Sequence, residues 1–340
     1  MIWLQFFVGA LLVIVAGTRL TRSADVLGRT LGLGTGWAGV LLLPLATSLP
    51  ELVTSLRAAM IQTPDLAAGN LFGSNLFNVT IIALVDLIQG KGSIFLRVKQ
   101  GHILAASLGI MLMSISGIGI LFPFPLFWGS WIGLDTILLI GGYLAAARLL
   151  TRYEKHNSPL RKHSSVRNGG RTDEEDNYLP SIPPRRAFVH FVVASAVILF
   201  AGVALTDASD IIALETGLGR TFIGSIMLAV TTSLPEVVTT STAARLGRLD
   251  MAIGNIFGAN VYNMFILSII DISYLPGPLL QAISPGHLLT IVMAIILTSM
   301  AITGLVYRSR RTIGWLSFDS IFIVIGYLIA VAVLFSTRGG

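Results

Sequence analysis

Two glutamates stand in the same frame, Thr-Ser-Leu-Pro-Glu, once at 47–51 and again at 232–236. Each frame lies inside a long apolar stretch, which puts Glu51 and Glu236 near the middle of a predicted membrane span. A carboxylate at that depth costs on the order of 3 kcal/mol even on lenient scales. Two of them at matching depths argue for a partner that compensates their charge. Thr47 and Ser48 precede Glu51 by four and three residues, as Thr232 and Ser233 precede Glu236. On an unbroken helix that spacing puts hydroxyl and carboxylate on one face. Pro50 and Pro235 lack an amide donor and free a carbonyl one turn back, near Ala46 or Thr231.

A second frame follows each acid. The first copy carries Asn70, Ser74, Asn75 and Asn78, and the second carries Asn255, Asn260 and Asn263. Ser74 and Asn78 are four apart, again on one face. Gly69 with Gly73, and Gly254 with Gly258, are small-xxx-small pairs that let helix backbones approach closely. Together the frames supply two carboxylates with hydroxyl, amide and backbone oxygens, and no His or Cys. Hard cations choose such ligands: calcium takes roughly 6–8 oxygens at about 2.3–2.6 Å, and sodium can use the same oxygens in smaller groups. Kinked prolines, back-bonded hydroxyls and glycine pairs are each usually structural when met alone. Two acids in repeated frames at bilayer depth are not.

The elements that must position these residues are helices in a membrane. Of 340 residues, 54% are hydrophobic and only 12% charged, with a mean hydropathy of +0.81. Soluble domains carry about a quarter charged residues, so ordinary cytoplasmic enzymes, disordered tails and nucleic-acid binders are excluded. Cysteine is absent, which removes disulfides, thiolate metal sites and cysteine nucleophiles. A span needs roughly 20 apolar residues, and ten stretches qualify: 2–18, 36–60, 66–87, 102–120, 130–150, 188–206, 221–243, 251–270, 287–306 and 313–335. The first does not read as a cleaved signal peptide, because no Lys or Arg precedes it.

With the amino terminus outside, about 20 of the 23 Lys and Arg fall in cytoplasmic segments, as the positive-inside rule requires. They include Arg19, Arg22 and Arg29 after the first span and nine residues between Arg148 and Arg186. Arg57, Arg220 and Arg338 stay outside, beside an outer loop 207–215 holding Asp207, Asp210 and Glu215. The pI near 9.9 therefore encodes topology, and anionic lipid head groups are the expected partners of these charges. The polar stretch 151–187, with its acidic run 173–176, reads as a flexible tether between halves.

The chain also matches itself at a shift of 185 residues, with 24 of the 55 positions from 32 to 86 identical. Asp86 meets Asp271 and His102 meets His287; at a shift of 184, Trp131 meets Trp315, Asp135 meets Asp319 and Tyr143 meets Tyr327. One unit of five spans has been duplicated, and because five is odd the copies enter the membrane from opposite sides. Inverted repeats of this kind are an architecture of secondary transporters, with the site at the midplane between halves. Asp86, Asp271, Asp135 and Asp319 lie near span ends and read as structural. His102 and His287 read as relics of the duplication, and Trp3, Trp128, Trp131 and Trp315 as an interfacial belt. No P-loop, His-rich metal spacing or catalytic triad is present, so no enzyme is expected.

At the TSLPE and GNxxG[SA]N frames, 36–87 and 221–272, the sequence resembles the sodium/calcium exchanger family of the cation/calcium exchanger superfamily. The resemblance covers both halves. It implies that Glu51, Glu236, Thr47, Ser48, Thr232, Ser233, Ser74, Asn78 and Asn263 bind the transported ions, and that spans 1 and 6 slide across the core to alternate access. Two positions depart from some relatives. Ala259 stands where the first repeat has Ser74, and Asn263 stands where others carry an aspartate. The site then holds two formal negative charges, which neutralise one calcium and weigh against potassium co-transport.

The resulting expectation is an all-α polytopic membrane protein of about ten transmembrane helices in two inverted five-helix repeats, 1–150 and 188–340, joined by the cytoplasmic linker 151–187. It exchanges calcium for sodium in the inner membrane of a prokaryote. Its expected partners are those ions and membrane lipid, with no cofactor, nucleic acid or obligate protein partner. Proton coupling on the same fold is the first alternative, with protonated glutamates in place of sodium, and a cation channel is the second.

Overall fold

A computed structural model describes residues 2–32, 34–90, 92–122, 130–157, 182–215 and 230–336. Eleven helices of nine residues or more organise it: α1 (Ile2–Thr30), α2 (Gly34–Thr47), α3 (Leu49–Met60), α4 (Pro64–Gln89), α5 (His102–Leu121), α6 (Leu134–Asn157), α7 (Pro184–Glu215), α8 (Leu234–Arg245), α9 (Leu249–Ser273), α10 (His287–Tyr307) and α11 (Phe318–Ser336). Among the described residues, eight helices are long and apolar enough to cross a membrane, and the bent pair α2–α3 makes a ninth. The first half of the expected span 221–243, most of the linker 151–187 and Trp128 lie outside the described residues.

The helices are longer than the hydropathy pattern indicates. α1 runs to Thr30 rather than residue 18, and α7 covers 184–215 rather than 188–206. The expected outer loop 207–215 is therefore the end of α7, and Arg19, Arg22 and Arg29 ride on α1. These added turns pack inside the protein: Leu20, Thr21, Ser23, Ala24, Asp25 and Val26 of α1 are buried, as are Ala208, Ser209 and Ile212 of α7. Trp3, Trp131 and Trp315 are exposed at helix ends or turns, as the aromatic belt requires.

α1 and α7 occupy equivalent places in the two repeats and lie side by side. Gln5 Nε2 donates to the Ala204 carbonyl at 3.3 Å, and Gly9 rests against Ala201 and Leu205, so early residues of one helix meet late residues of the other. The equivalent helices are antiparallel, which is the inversion of the repeats. α4 and α9, largely buried, cross at the centre of the molecule. The α1–α7 pair packs against the outside of that centre. A Cβ on Gly17 would come within 2.9 Å of Val238 in α8, and one on Gly202 within 2.6 Å of Pro50 in α3.

Two of the four span-end aspartates, Asp86 and Asp271, hold the backbone of neighbouring segments. Asp86 accepts the backbone N–H groups of Ile94 (2.8 Å) and Ser317 (2.6 Å). Asp271 repeats this with Leu279 (2.5 Å), Gly133 (3.4 Å) and the Thr136 hydroxyl. Asp135 and Asp319 sit in the first turns of α6 and α11. The histidines are more than relics. His102 Nε2 lies 3.0 Å from Asp250 and His287 Nε2 3.1 Å from Asp65. Each aspartate also accepts a backbone N–H, from Lys99 at 2.8 Å and Ser284 at 2.6 Å. All four links join one repeat to the other.

Candidate cation site

The two acids sit where helices break. Pro50 has no N–H to offer the Ala46 carbonyl, and the chain turns at Ser48 (φ −88°, ψ 15°) before α3 begins at Leu49. α2 and α3 meet at 41°. Ser233 breaks the second repeat in the same way (φ −82°, ψ 6°), before α8. Glu51 and Glu236 thus occupy the first turns of α3 and α8, where the partial positive charge of the helix start stabilises a carboxylate. Both are fully buried.

The break corrects the expected geometry of the hydroxyls. On an unbroken helix Thr47 and Ser48 would share a face with Glu51; instead they reach the other repeat. Ser48 Oγ donates to Glu236 Oε1 at 3.0 Å, and Ser233 Oγ donates to Glu51 Oε1 at 3.4 Å. Thr47 Oγ1 lies beside Glu236 without a hydrogen bond of normal geometry, and Thr232 lies beside Glu51. Thr232 also donates to Asn70 Oδ1 at 3.1 Å. The carboxylates are close enough to feel each other's charge. Six of the nine expected site residues therefore form one buried, two-fold arrangement built from both TSLPE frames.

A second group sits where α4 crosses α9. Asn75 Nδ2 donates to the Asn260 carbonyl at 3.3 Å, and Asn260 Nδ2 returns a bond to the Asn75 carbonyl at 3.1 Å. Asn78 Nδ2 donates to Asn260 Oδ1 (3.1 Å) and Asn263 Nδ2 to Asn75 Oδ1 (2.9 Å). The sequence pattern marks Asn75 and Asn260 through their 185-residue spacing, but only the crossing reveals that they orient Asn78 and Asn263. Gly39 and Gly258 permit the close approach of α2 and α9. A Cβ on Gly39 would collide with Met251, and one on Gly258 with Val40 and Pro44. α2 widens there into a π-turn at Ala38–Leu42.

Asn70, Ser74 and Asn78 lie four apart along one face of α4. Asn70 touches the acid group through Thr232 and holds Ser55 Oγ at 3.0 Å, while Asn78 belongs to the asparagine group. Ser74 stands between them. On α9 the matching row is Asn255, Ala259 and Asn263, with Asn255 bonded to Thr239 and Thr240; Ala259 offers no hydroxyl. Buried polar atoms are nearly always paired. Yet Thr47 Oγ1, Glu51 Oε2, Glu236 Oε2, Ser74 Oγ, Asn78 Oδ1 and Asn263 Oδ1 have no hydrogen-bond partner among the described residues. All six are oxygens, all are buried, and all belong to the expected ligand set.

Comparison with known proteins matches this arrangement to a family. The profile of the family described as sodium/calcium exchanger protein matches residues 1–151 and 186–336. The inner membrane protein YrbG of Escherichia coli (strain K12) is 28% identical over 272 residues, 79% of each chain. The sodium/calcium exchanger MaX1 of Methanosarcina acetivorans is 26% identical over 282 residues, 78% of this chain and 81% of its own. A solved structure of the sodium-calcium exchanger NCX_Mj, soaked with 100 mM Na+ and 10 mM Sr2+, superimposes with a TM-score of 0.71 at 20% identity, over 98% of this chain and 99% of that one.

Proposed function

The chain belongs to the sodium/calcium exchanger family, and on that premise we propose that it is an antiporter exchanging calcium for sodium at the site between Glu51 and Glu236. The observation that carries this reading is the set of six buried oxygens without partners, two of them carboxylate, drawn from both repeats. A cation held among them would satisfy these acceptors together and offset the two carboxylates. Calcium sits between the two carboxylates, which neutralise it. Thr47, Ser48, Thr232, Ser233, Ser74, Asn78 and Asn263 supply or orient the remaining oxygens, and sodium ions take overlapping subsets. An empty site with both carboxylates ionised in a low-dielectric interior is costly to carry across. That cost couples the two fluxes. The names of the relative MaX1 and of NCX_Mj, both sodium–calcium exchangers, support the choice of ions.

In this reading 1–150 and 188–340 are the two five-helix repeats and 151–187 is a cytoplasmic linker. The amino terminus lies outside the inner membrane of a prokaryote, which the distribution of Lys and Arg supports. The test is radioactive calcium uptake into proteoliposomes loaded with sodium and diluted into sodium-free buffer. Uptake should require internal sodium and vanish in Glu51→Gln and in Glu236→Gln. Wild-type transport by the Glu51→Gln protein would sink the assignment. Uptake that follows an imposed pH gradient and ignores sodium would replace sodium by protons as the coupling ion.

A further inference from the structure

Apart from the candidate cation site, α1 and α7 flank an open groove of about 650 Å³, within the roughly 300–1,000 Å³ typical of small-ligand sites. One wall is apolar: Leu12 and Val15 of α1 face Val193 and Val197 of α7. Leu12, Val15 and Val193 are about half exposed, as side chains are when their neighbour is hydrocarbon outside the protein. The other end is basic, formed by Arg19 and Arg22 one to two turns further along α1 and by His190 on α7. Arg29, on the same helix, is engaged by Asp25 at 3.0 Å, and Arg248 shares that carboxylate at 3.3 Å. Arg19 and Arg22 make no hydrogen bond or ion pair with any described residue.

We infer that this groove binds an anionic phospholipid. Its phosphate lies between Arg19 and Arg22 with His190 at the rim, and its acyl chains run along Leu12, Val15, Val193 and Val197. The guanidinium fork matches phosphate oxygens, usually by paired hydrogen bonds. The apolar wall beside it selects a phosphate that carries hydrocarbon over a free one. The basic ends of α1 and α7 lie on the side assigned to the cytoplasm, whose leaflet is the one enriched in anionic lipid. Each basic residue near such a surface strengthens binding roughly fivefold, so the two arginines account for roughly 25-fold preference over a lipid of zero net charge.

The test uses the full chain in phosphatidylcholine nanodiscs containing a minor fraction of phosphatidylglycerol, released for native mass spectrometry. The wild-type protein should retain one phosphatidylglycerol. Retention should fall roughly 25-fold in the Arg19→Gln/Arg22→Gln protein and stay unchanged in Arg310→Gln/Arg311→Gln, whose arginines lie elsewhere. Val193→Trp, which fills the apolar wall and leaves both arginines, should also lose the lipid. Equal retention by wild type and the Arg19→Gln/Arg22→Gln protein would overturn the inference. So would phosphatidylcholine held as firmly as phosphatidylglycerol, or displacement of the lipid by inorganic phosphate.

Discussion

Ser48 and Ser233 each begin a helix whose third residue is glutamate, the Ser-x-x-Glu pattern of a capping box, and neither serine caps its helix. The hydroxyl is turned to the glutamate of the opposite repeat instead. A bond from a hydroxyl to a buried carboxylate is worth about 1.5–3 kcal/mol, and here it fixes the direction in which a carboxylate oxygen of the candidate site points. Ser48→Ala should therefore lower calcium exchange by about tenfold or more, by the rule that about 1.4 kcal/mol is a factor of ten. Ser233→Ala, with the longer bond, should do so less, and initial rates of calcium uptake measure both. The identity of these residues is legible in the chain because the frame occurs twice. Their partners are not, because spacing on a continuous helix points Thr47 and Ser48 at Glu51. Pro50 advertises a break, but the direction taken after it depends on packing against the other half. Asn75 and Asn260 teach the same lesson: their types and spacing are visible, and their exchange of backbone bonds is not.

At the scale of elements, the contacts that locate the acid-bearing helices are made by glycines on the flanking pair. Gly202 lies against the ring of Pro50, so a methyl group there would sit 2.6 Å from Cγ and would push α7 away from α3. Gly202→Ala should destabilise the protein by about 1–3 kcal/mol, as overpacked cores do, seen as a lower midpoint of thermal unfolding in detergent. Gly141 in α6 provides the contrast, since a methyl group added there would meet nothing within 4 Å. Gly141→Ala should be neutral or stabilise by up to about 1 kcal/mol, the gain in helix propensity. Helix existence was readable from apolar length for α1, α4, α5, α6, α7, α9, α10 and α11. Helix ends were not, because α1 and α7 continue well past the apolar run into residues that hydropathy reads as loop.

Across the whole molecule, the duplicated residues hold the halves together. Asp86 and Asp271 each gather backbone donors from the segment after their own helix and from the opposite repeat. Asparagine has a single acceptor oxygen, and its amide would face an N–H. Asp86→Asn and Asp271→Asn should each cost about 1–3 kcal/mol, the penalty for an unsatisfied buried donor, and two sites far apart should add in the double variant. Thermal unfolding of the three proteins checks both statements. The inverted architecture was legible from arithmetic, since five spans per copy and the placement of Arg and Lys agree independently. That His102 and His287 tie each half to an aspartate of the other was not, because a repeat comparison aligns equivalent residues and says nothing about which ones touch.

The pairing of Asn75 with Asn260, each giving an amide and taking one back, marks the point about which the interior reads the same in either direction. Turned over in the bilayer, the chain would offer a similar row of oxygens to the opposite compartment, differing where Ser74 has Ala259 as its counterpart and where Asn70 accepts from Thr232 while Asn255 donates to Thr239 and Thr240. A device of that kind has no arrow built into its centre. On the proposed exchange reading such a centre, like a balance with nearly equal arms, tips toward whichever side the gradients load, and Ser74 is one of the weights that keep the arms from being identical.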